Sequence, residues 1–495
     1  MDGTLGPGAL ARLVLVLAAG FVLRSLHPSQ PIVENYVGRQ IPTAMVARNL
    51  ERDGDFLHPR LETGPFPNYF PVEPPIYQAL VVGLRKATRL PLDVSGRLAS
   101  ALAATLCAWG IYALVKRRAG EEAALAAAAA FSMLPITIRY GRAFQPDALM
   151  LGACTAGLAC WDLAATSSRR RLLTVGGWIL LAVGIAAKAT AAYLLAVAFL
   201  AVLPRRNLKS ALLCGSVLLP TIAWYLWANH LVQTSGSRAS AENREIWMAA
   251  VGLAALAEWD TWQEAGRFLL LRAFTPFGLF GAVCGFLSSV QSQTTRLWWT
   301  WAGLAIATMA LLASKLHHEY YWLCLAPVAS AGLGLVWARL DSWRPGVAFS
   351  AAVGFALLAL AASDSTWRTP DEWLGIAEAG RELAEATGKD DLIVAPEALL
   401  FYADRRGCRL EYTMAAATRA ASEWEPQGQL ISPIELIDLY RRNGARWAAD
   451  LNADSSDQLR FDLNESLAHI YKLMPGHYDF VLAKLEPDEP ATDGQ

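Results

Sequence analysis

Several ionisable side chains in this sequence interrupt apolar or proline-rich stretches, and each is of a type that can move protons or hold phosphate. Glu34 lies in Glu34-Asn35-Tyr36-Val37-Gly38-Arg39-Gln40, with Arg39 five residues on. A carboxylate just outside a membrane helix suits a general base or a metal ligand, although a solvated loop glutamate has the same appearance. Glu73 precedes Pro74-Pro75-Ile76-Tyr77, where two prolines stiffen the chain ahead of an apolar segment. Asp147 ends Arg139-Tyr140-Gly141-Arg142-Ala143-Phe144-Gln145-Pro146-Asp147. Pro146 puts that carboxylate at a helix start, where capping alone accounts for it, but the guanidinium groups of Arg139 and Arg142 nearby suit a phosphate. Lys188 breaks an apolar run, a costly place for a charge without a partner. Lys315-Leu316-His317-His318-Glu319-Tyr320-Tyr321 stands at the entrance to another apolar run. Its paired histidines with Glu319 could bind a metal, with Glu73 as a further candidate ligand, or could simply populate an interface. Arg272, just inside a span, is a weaker candidate of the same kind.

The elements that must position these groups are membrane helices. The chain has 495 residues, is 54% hydrophobic and only 18% charged, and has a mean hydropathy of +0.28. Soluble domains carry about 25% charged residues, and the 18 tryptophans suit membrane–water interfaces. A net charge of −1 gives no basic field for nucleic acid. The 7 cysteines fall mostly singly in apolar runs and form no metal-spaced cluster. Runs of about 20 apolar residues predict about eleven spans: 8–26, 97–115, 121–138, 147–165, 172–187, 189–204, 210–228, 268–288, 296–314, 320–338 and 345–362. The first reads as a retained helix rather than a cleaved signal, because no small-residue cleavage site precedes His27.

Charge sets the orientation. Lys116-Arg117-Arg118, Arg169-Arg170-Arg171, Arg205-Arg206 with Lys209, Arg296, and Arg339 to Arg344 occupy alternate short loops, which are therefore cytoplasmic. The other loops, 27–96, 139–146, Lys188, 229–267 and 315–319, are external, and so is the tail. All the candidate residues fall on that external side. The stretch from His27 to Gln78 includes an amphipathic run, Thr43 to Arg52. At roughly 45 residues or more it is far longer than a simple connection needs, as functional loops often are.

The expected division is a membrane domain, 1–363, including loop 27–96, followed by an external domain, 364–495. In the tail, Trp373 to Thr387 has helical spacing, Leu392-Ile393-Val394-Ala395 reads as a buried strand, and Pro396-Glu397 opens a helix. Ile434 to Arg442 is a further amphipathic helix, leading to Arg446-Trp447-Ala448-Ala449, and Tyr478 to Leu482 resembles a last strand. Strands alternating with helices predict a small α/β domain.

The order of these motifs resembles the bacterial GT-C glycosyltransferases, relatives of the protein O-mannosyltransferases and of the aminoarabinose transferases that modify lipid A. The matching residues are Glu34 with Arg39-Gln40, Ala47-Arg48-Asn49, Glu73-Pro74-Pro75-Ile76-Tyr77, Tyr140 to Asp147, Lys188-Ala189-Thr190 and His318-Glu319-Tyr320-Tyr321. They cover most of residues 1–345. Two positions depart from the pattern: many members have Asp, often Asp-Glu, where this chain has Val33-Glu34, and aminoarabinose transferases have Lys-Pro-Pro where it has Glu73-Pro74-Pro75.

The resemblance implies a multi-pass protein of the bacterial cytoplasmic (inner) membrane, with its active site and tail on the extracytoplasmic side. It implies a polyprenyl-phosphate-linked sugar donor and transfer to an acceptor hydroxyl on a protein, lipid or polysaccharide. Glu34 is then the catalytic base and Asp147 the second catalytic acid. Arg39, Glu73, Tyr77, Arg139, Arg142, Lys188, His318, Tyr320 and Tyr321 bind substrate, and a divalent metal ion is an open possibility. Direct displacement would invert the anomeric carbon. A transporter or flippase for a lipid-linked substrate is the alternative. It predicts ionisable groups deep in paired, broken helices, whereas these charges lie at one face. A scaffold subunit is a further reading, under which Glu34, Asp147 and Lys188 would tolerate replacement.

Overall fold

Prolines and glycines divide the apolar runs into helices. Gly120, at φ +86°, ends the helix Leu92–Ala119 with its N–H on the Lys116 carbonyl and lets Glu121–Met133 begin at once. That left-handed turn favours glycine. Lys116, Arg117 and Arg118 close the first helix and Glu121 and Glu122 open the second, so each terminus carries the charge its dipole favours. Lys116 pairs with Glu121 at 2.7 Å, while Arg118 and Arg117 reach Asp162 at 2.9 and 3.0 Å.

A computed structural model of the chain describes residues 7–236, 248, 251–288, 295–451, 470–473 and 480–485. It forms two compact units. The first comprises Met1–Ser29, Glu73–Trp227 and Glu245–Trp367, and the second Gln30–Val72, Ala228–Arg244 and Arg368–Gln495.

In the first unit the predicted spans are helical, though not all are single straight helices. Among the described residues, six helices are long and apolar enough to cross a membrane, or seven if one bent pair counts as a span. The pair is Trp259–Ala273 and Pro276–Leu287, bent by 92°. Pro135 breaks the predicted span 121–138 into Glu121–Met133 and Pro135–Tyr140. The predicted span 189–204 is a 3-10 turn, a short α-helix and a π turn, Ala189–Ala192, Tyr193–Val197 and Ala198–Val202. Small residues let the central helices approach closely. A Cβ on Gly152 would stand 2.1 Å from the Ala103 carbonyl oxygen, and one on Gly184 would stand 2.9 Å from that of Met150. The second approach matters for chemistry. Gly184 lies one turn before Lys188 and Met150 one turn after the start of Asp147–Ala164, so the contact brings Lys188 level with Asp147.

The second unit is built on a five-stranded sheet. Its strands are β1 Leu392–Ala395, β2 Gly407–Arg409, β3 Ala445–Leu451, β4 Ile470–Leu473 and β5 Phe480–Lys484, in the order β2-β1-β3-β5-β4. β1 runs parallel to β2 and β3, and β5 antiparallel to β3 and β4. Val394, Cys408, Ala421, Leu436, Tyr440 and Leu485 are buried together in its core. The expected last strand starts at Phe480; Tyr478 and Asp479 lie outside the described residues.

The sequence division assigned all of loop 27–96 to the membrane domain, whereas Gln30–Val72 groups with the tail. Hydrogen bonds account for this. Gly64 N–H donates to the Gly407 carbonyl at 2.7 Å, and Gly407 N–H to that of Glu62 at 3.0 Å, adding the loop to the β2 edge. Arg48 binds the Glu62 carboxylate and the Phe401 carbonyl, and Arg52 binds Glu62 and Asp404. The amphipathic run folds as the helix Val37–Asp53, ended by Gly54 at φ +71°.

Candidate functional site

Asp147 is the first residue of its helix, is 1% exposed, and does not act as the side-chain cap. Its carboxylate turns instead to Lys188, whose Nζ donates to Oδ1 at 2.5 Å. The other oxygen, Oδ2, is buried with no hydrogen-bond partner among the described residues. Lys188 ends the helix Arg170–Ala187 in an extended conformation, with its N–H on the Gly184 carbonyl at 3.2 Å. Its ammonium lies 4.1 Å from the ring centre of Tyr320 and 4.9 Å from that of Tyr321. Asp147, Lys188, Thr190, Tyr193, Tyr320 and Tyr321 line a cavity of ≈ 30 Å³, room for about one water molecule. Sequence candidates from three distant segments thus meet in one largely apolar pocket, where low polarity strengthens charge interactions.

Glu319 organises a second cluster on the residue beside Tyr320. Its carboxylate binds Arg139, and Arg272 Nε lies 3.1 Å from Oε2. Arg139 is 1% exposed and also donates to the carbonyls of Arg272 and Ala362, both at 3.2 Å. Arg272, with 40% of its side chain exposed, is the cation of this cluster that keeps an open face. Arg142 is fully buried and donates to the carbonyls of Thr366 and His27, at 2.9 and 2.8 Å. These bonds tie the segments after the first and last helices of this unit to the loop that carries Asp147.

Tyr77 fixes that loop from the other side. Its hydroxyl donates to the Gly96 carbonyl at 2.9 Å and lies 2.9 Å from Ser100 Oγ, which donates to the Ala143 carbonyl at 2.6 Å. The Tyr77 ring meets Phe144 edge to face. Glu73 is half-buried just before the helix Ile76–Thr88. His317 and His318 have ring centres 3.9 Å apart, and His318 stacks on Tyr320. Among the described residues no three His, Cys, Asp or Glu side chains gather as a metal set, so Glu73, His317 and His318 do not assemble as one.

Burial pushes the His318 imidazole down to about 3, assisted by the positive neighbours His317, Lys315 and Lys188. The folded protein therefore holds it neutral, while the unfolded chain takes up a proton below the ordinary value of 6.5. Stability is fully present above pH 6.5 and falls as pH drops toward 3. Melting temperatures in detergent should decline across that window, and His318→Asn should make the decline shallower.

Glu34 belongs to the second unit and is 1% exposed. Asn35, at φ 63°, turns the chain into the helix Val37–Asp53, and Gln40 Nε2 donates to the Glu34 carbonyl at 2.5 Å. A left-handed residue beside a buried carboxylate is the kind of strained geometry found at functional sites. Arg39 is half-buried on the first turn of that helix.

Sequence reasoning took Glu319 for a possible metal partner and missed its part as the carboxylate between two arginines. The available signal was its position at the edge of an apolar run, where a charge needs a counter-charge. The network of Arg48, Arg52, Glu62 and Asp404 had no complete local signal, since Asp404 lies more than 300 residues from the other three.

Residues 74–231 match the sequence model of the dolichyl-phosphate-mannose-protein mannosyltransferase family. ArnT from Cupriavidus metallidurans, in a crystal structure bound to undecaprenyl phosphate, superposes with a TM-score of 0.63 at 17% identity, covering 95% of this chain and 97% of that one. The chain has the GT-C fold. The archaeal oligosaccharyltransferase AglB from Archaeoglobus fulgidus, solved with an inhibitory peptide and a dolichol-phosphate, gives a TM-score of 0.56 at 12% identity over 90% of this chain and 69% of that one. Arabinofuranosyltransferase AftD from Mycobacteria gives 0.53 at 14% identity over 95% of this chain, which spans only 39% of AftD. No curated protein matches the chain by sequence. As a GT-C protein it is a multi-pass membrane protein with a small sheet in its C-terminal region.

Proposed function

We propose that this GT-C protein transfers a sugar from a polyprenyl-phosphate donor to an extracytoplasmic acceptor hydroxyl. The observation that carries the reading is the buried Asp147–Lys188 pair under Tyr320 and Tyr321, with one carboxylate oxygen left unbonded. Lys188 over Tyr320, and Arg272 on Glu319, flank one turn of chain. Two cations there suit a leaving phosphate, whose charge grows as the glycosidic bond breaks. The buried, unbonded Asp147 Oδ2 would accept a hydrogen bond from a substrate hydroxyl.

In the reaction the acceptor oxygen attacks the anomeric carbon as the sugar–phosphate bond breaks. The phosphate leaves with the bonding electrons as polyprenyl phosphate, and Glu34 takes the acceptor's proton. Displacement at one step inverts the anomeric configuration. Undecaprenyl phosphate and dolichol-phosphate occur with the similar structures, which supports this lipid class as donor. The alternating basic loops support a cytoplasmic-membrane protein with Asp147, Lys188 and the tail on the outer side.

The test is sugar release by purified protein from a panel of polyprenyl-phosphate sugars, with and without a chelator. Turnover is expected with at least one donor, and the anomeric configuration of the product reports the stereochemistry. Loss on chelation would bring in a divalent ion. Binding of lipid-linked sugars without turnover of any donor would favour the transporter.

A further inference from the structure

The second unit contains a cavity of ≈ 460 Å³ lined by Arg52, Arg60, Glu62, Phe66, Asn68 and Arg406, among others. That volume falls in the range of small-molecule sites, which run from about 300 to 1,000 Å³. Its walls are built rather than incidental. Leu61 N–H donates to the Asn68 carbonyl at 2.9 Å and Phe70 N–H to that of Pro59 at 2.7 Å, closing residues 59–70 into a hairpin-like loop. The paired bonds between Gly64, Glu62 and Gly407 hold that loop on the β2 edge, directly beside Arg406. A Cβ on Gly64 would stand 2.4 Å from the Trp424 ring, so the loop lies flush on the sheet domain.

The charges of the cavity are unevenly used. Glu62 is occupied by Arg48 and Arg52, Arg52 also binds Asp404, and Arg60 pairs with Asp53 at 2.6 Å. Arg406 is exposed and has no carboxylate partner among the described residues. Its guanidinium instead stacks on Phe66, 3.8 Å from the ring centre. An arginine held flat on an aromatic face keeps its edge N–H donors directed outward, an arrangement that suits a carboxylate or phosphate. The amide of Asn68 is 3% exposed, with Nδ2 fixed on the Thr63 carbonyl at 2.9 Å. The side chain of Asn68 therefore has a set orientation at the wall.

We infer that this cavity is a binding site for an acidic saccharide, with Arg406 on its carboxylate or phosphate and Phe66 and Pro67 against its ring faces. As a hold for the acceptor it rests on the transferase reading, which it deepens by giving the acceptor a charge.

Binding is measured by calorimetry on the full-length protein in detergent. Digalacturonate and mannose 6-phosphate serve as acidic probes, and cellobiose as the neutral one. At least one acidic probe should bind and cellobiose should not, and Arg406→Gln should weaken the acidic probe about tenfold or more, the worth of one charge-assisted hydrogen bond. Phe66→Leu should weaken it less. Arg406 is exposed, so its replacement leaves the fold intact. Sugar release from the donor panel, with water as acceptor, is followed in parallel and should be unchanged in Arg406→Gln. Acidic and neutral probes binding alike, or not at all, would overturn the site whatever the turnover. Selective acidic binding that Arg406→Gln abolishes would uphold the site even if no donor turned over, in which case only the transferase reading fails.

Discussion

Replacing Lys188 with Met should lower sugar release by about 10²–10³-fold, the usual cost of removing one donor aimed at developing negative charge. It should also cost about 3–5 kcal/mol of stability, because Asp147 is left as a buried charge without its partner. Asp147→Asn alone leaves the Lys188 ammonium without the Asp147 counter-charge, beside the amide oxygen and the Tyr320 and Tyr321 rings. The informative protein is the double variant. With both charges gone nothing buried remains uncompensated, so its melting temperature should exceed that of Lys188→Met while its turnover stays low. That separation divides a phosphate-holding cation from a structural ion pair. If the double variant recovers both stability and turnover, the pair serves the fold alone. The measurement is thermal unfolding in detergent alongside donor turnover, with donor binding followed separately so that a lost KM effect is not mistaken for a lost kcat.

The sequence made the pair findable because both residues break rules that membrane helices otherwise keep. Lys188 divides an apolar run and Asp147 follows a proline at a helix start, so each asked for an explanation before any contact was known. The contact itself is tertiary, and depends on Gly184 closing against Met150. Hydropathy located the helical segments for a similar reason, since every spanning helix must bury its backbone in its own hydrogen bonds. It did not show where those segments break. The 92° bend before Pro276 and the mixed turns over Ala189–Val202 have no hydropathy signature.

Charge was less legible than position. Arg139, Arg142 and Arg272 carry the same charge and stand beside the same face in sequence. The structure gives Arg139 to Glu319, spends two Arg142 donors on carbonyls, and leaves Arg272 partly open. Local sequence does not distinguish those fates, because each partner lies more than 40 residues away. The assignment of loop 30–72 failed on the same ground. Arg48 and Arg52 look like the polar side of an amphipathic helix, and only the folded tail supplies Phe401 and Asp404.

Glu34→Gln should reduce turnover by about 10²–10⁴-fold while leaving donor binding within a small factor, as expected for the loss of a general base. Glutamine keeps the shape of the side chain, and the bond from Gln40 goes to the backbone carbonyl of residue 34, so the turn at Asn35 should survive. Stability and donor binding measured alongside make the result specific. Turnover should fall in Glu34→Gln with the melting temperature and donor binding near wild type. Glu34→Asp should restore part of the activity, since it keeps the proton acceptor but shortens its reach. A merely structural Glu34 would behave otherwise. Gln and Asp would then lower the melting temperature together, and turnover per folded protein would stay near wild type.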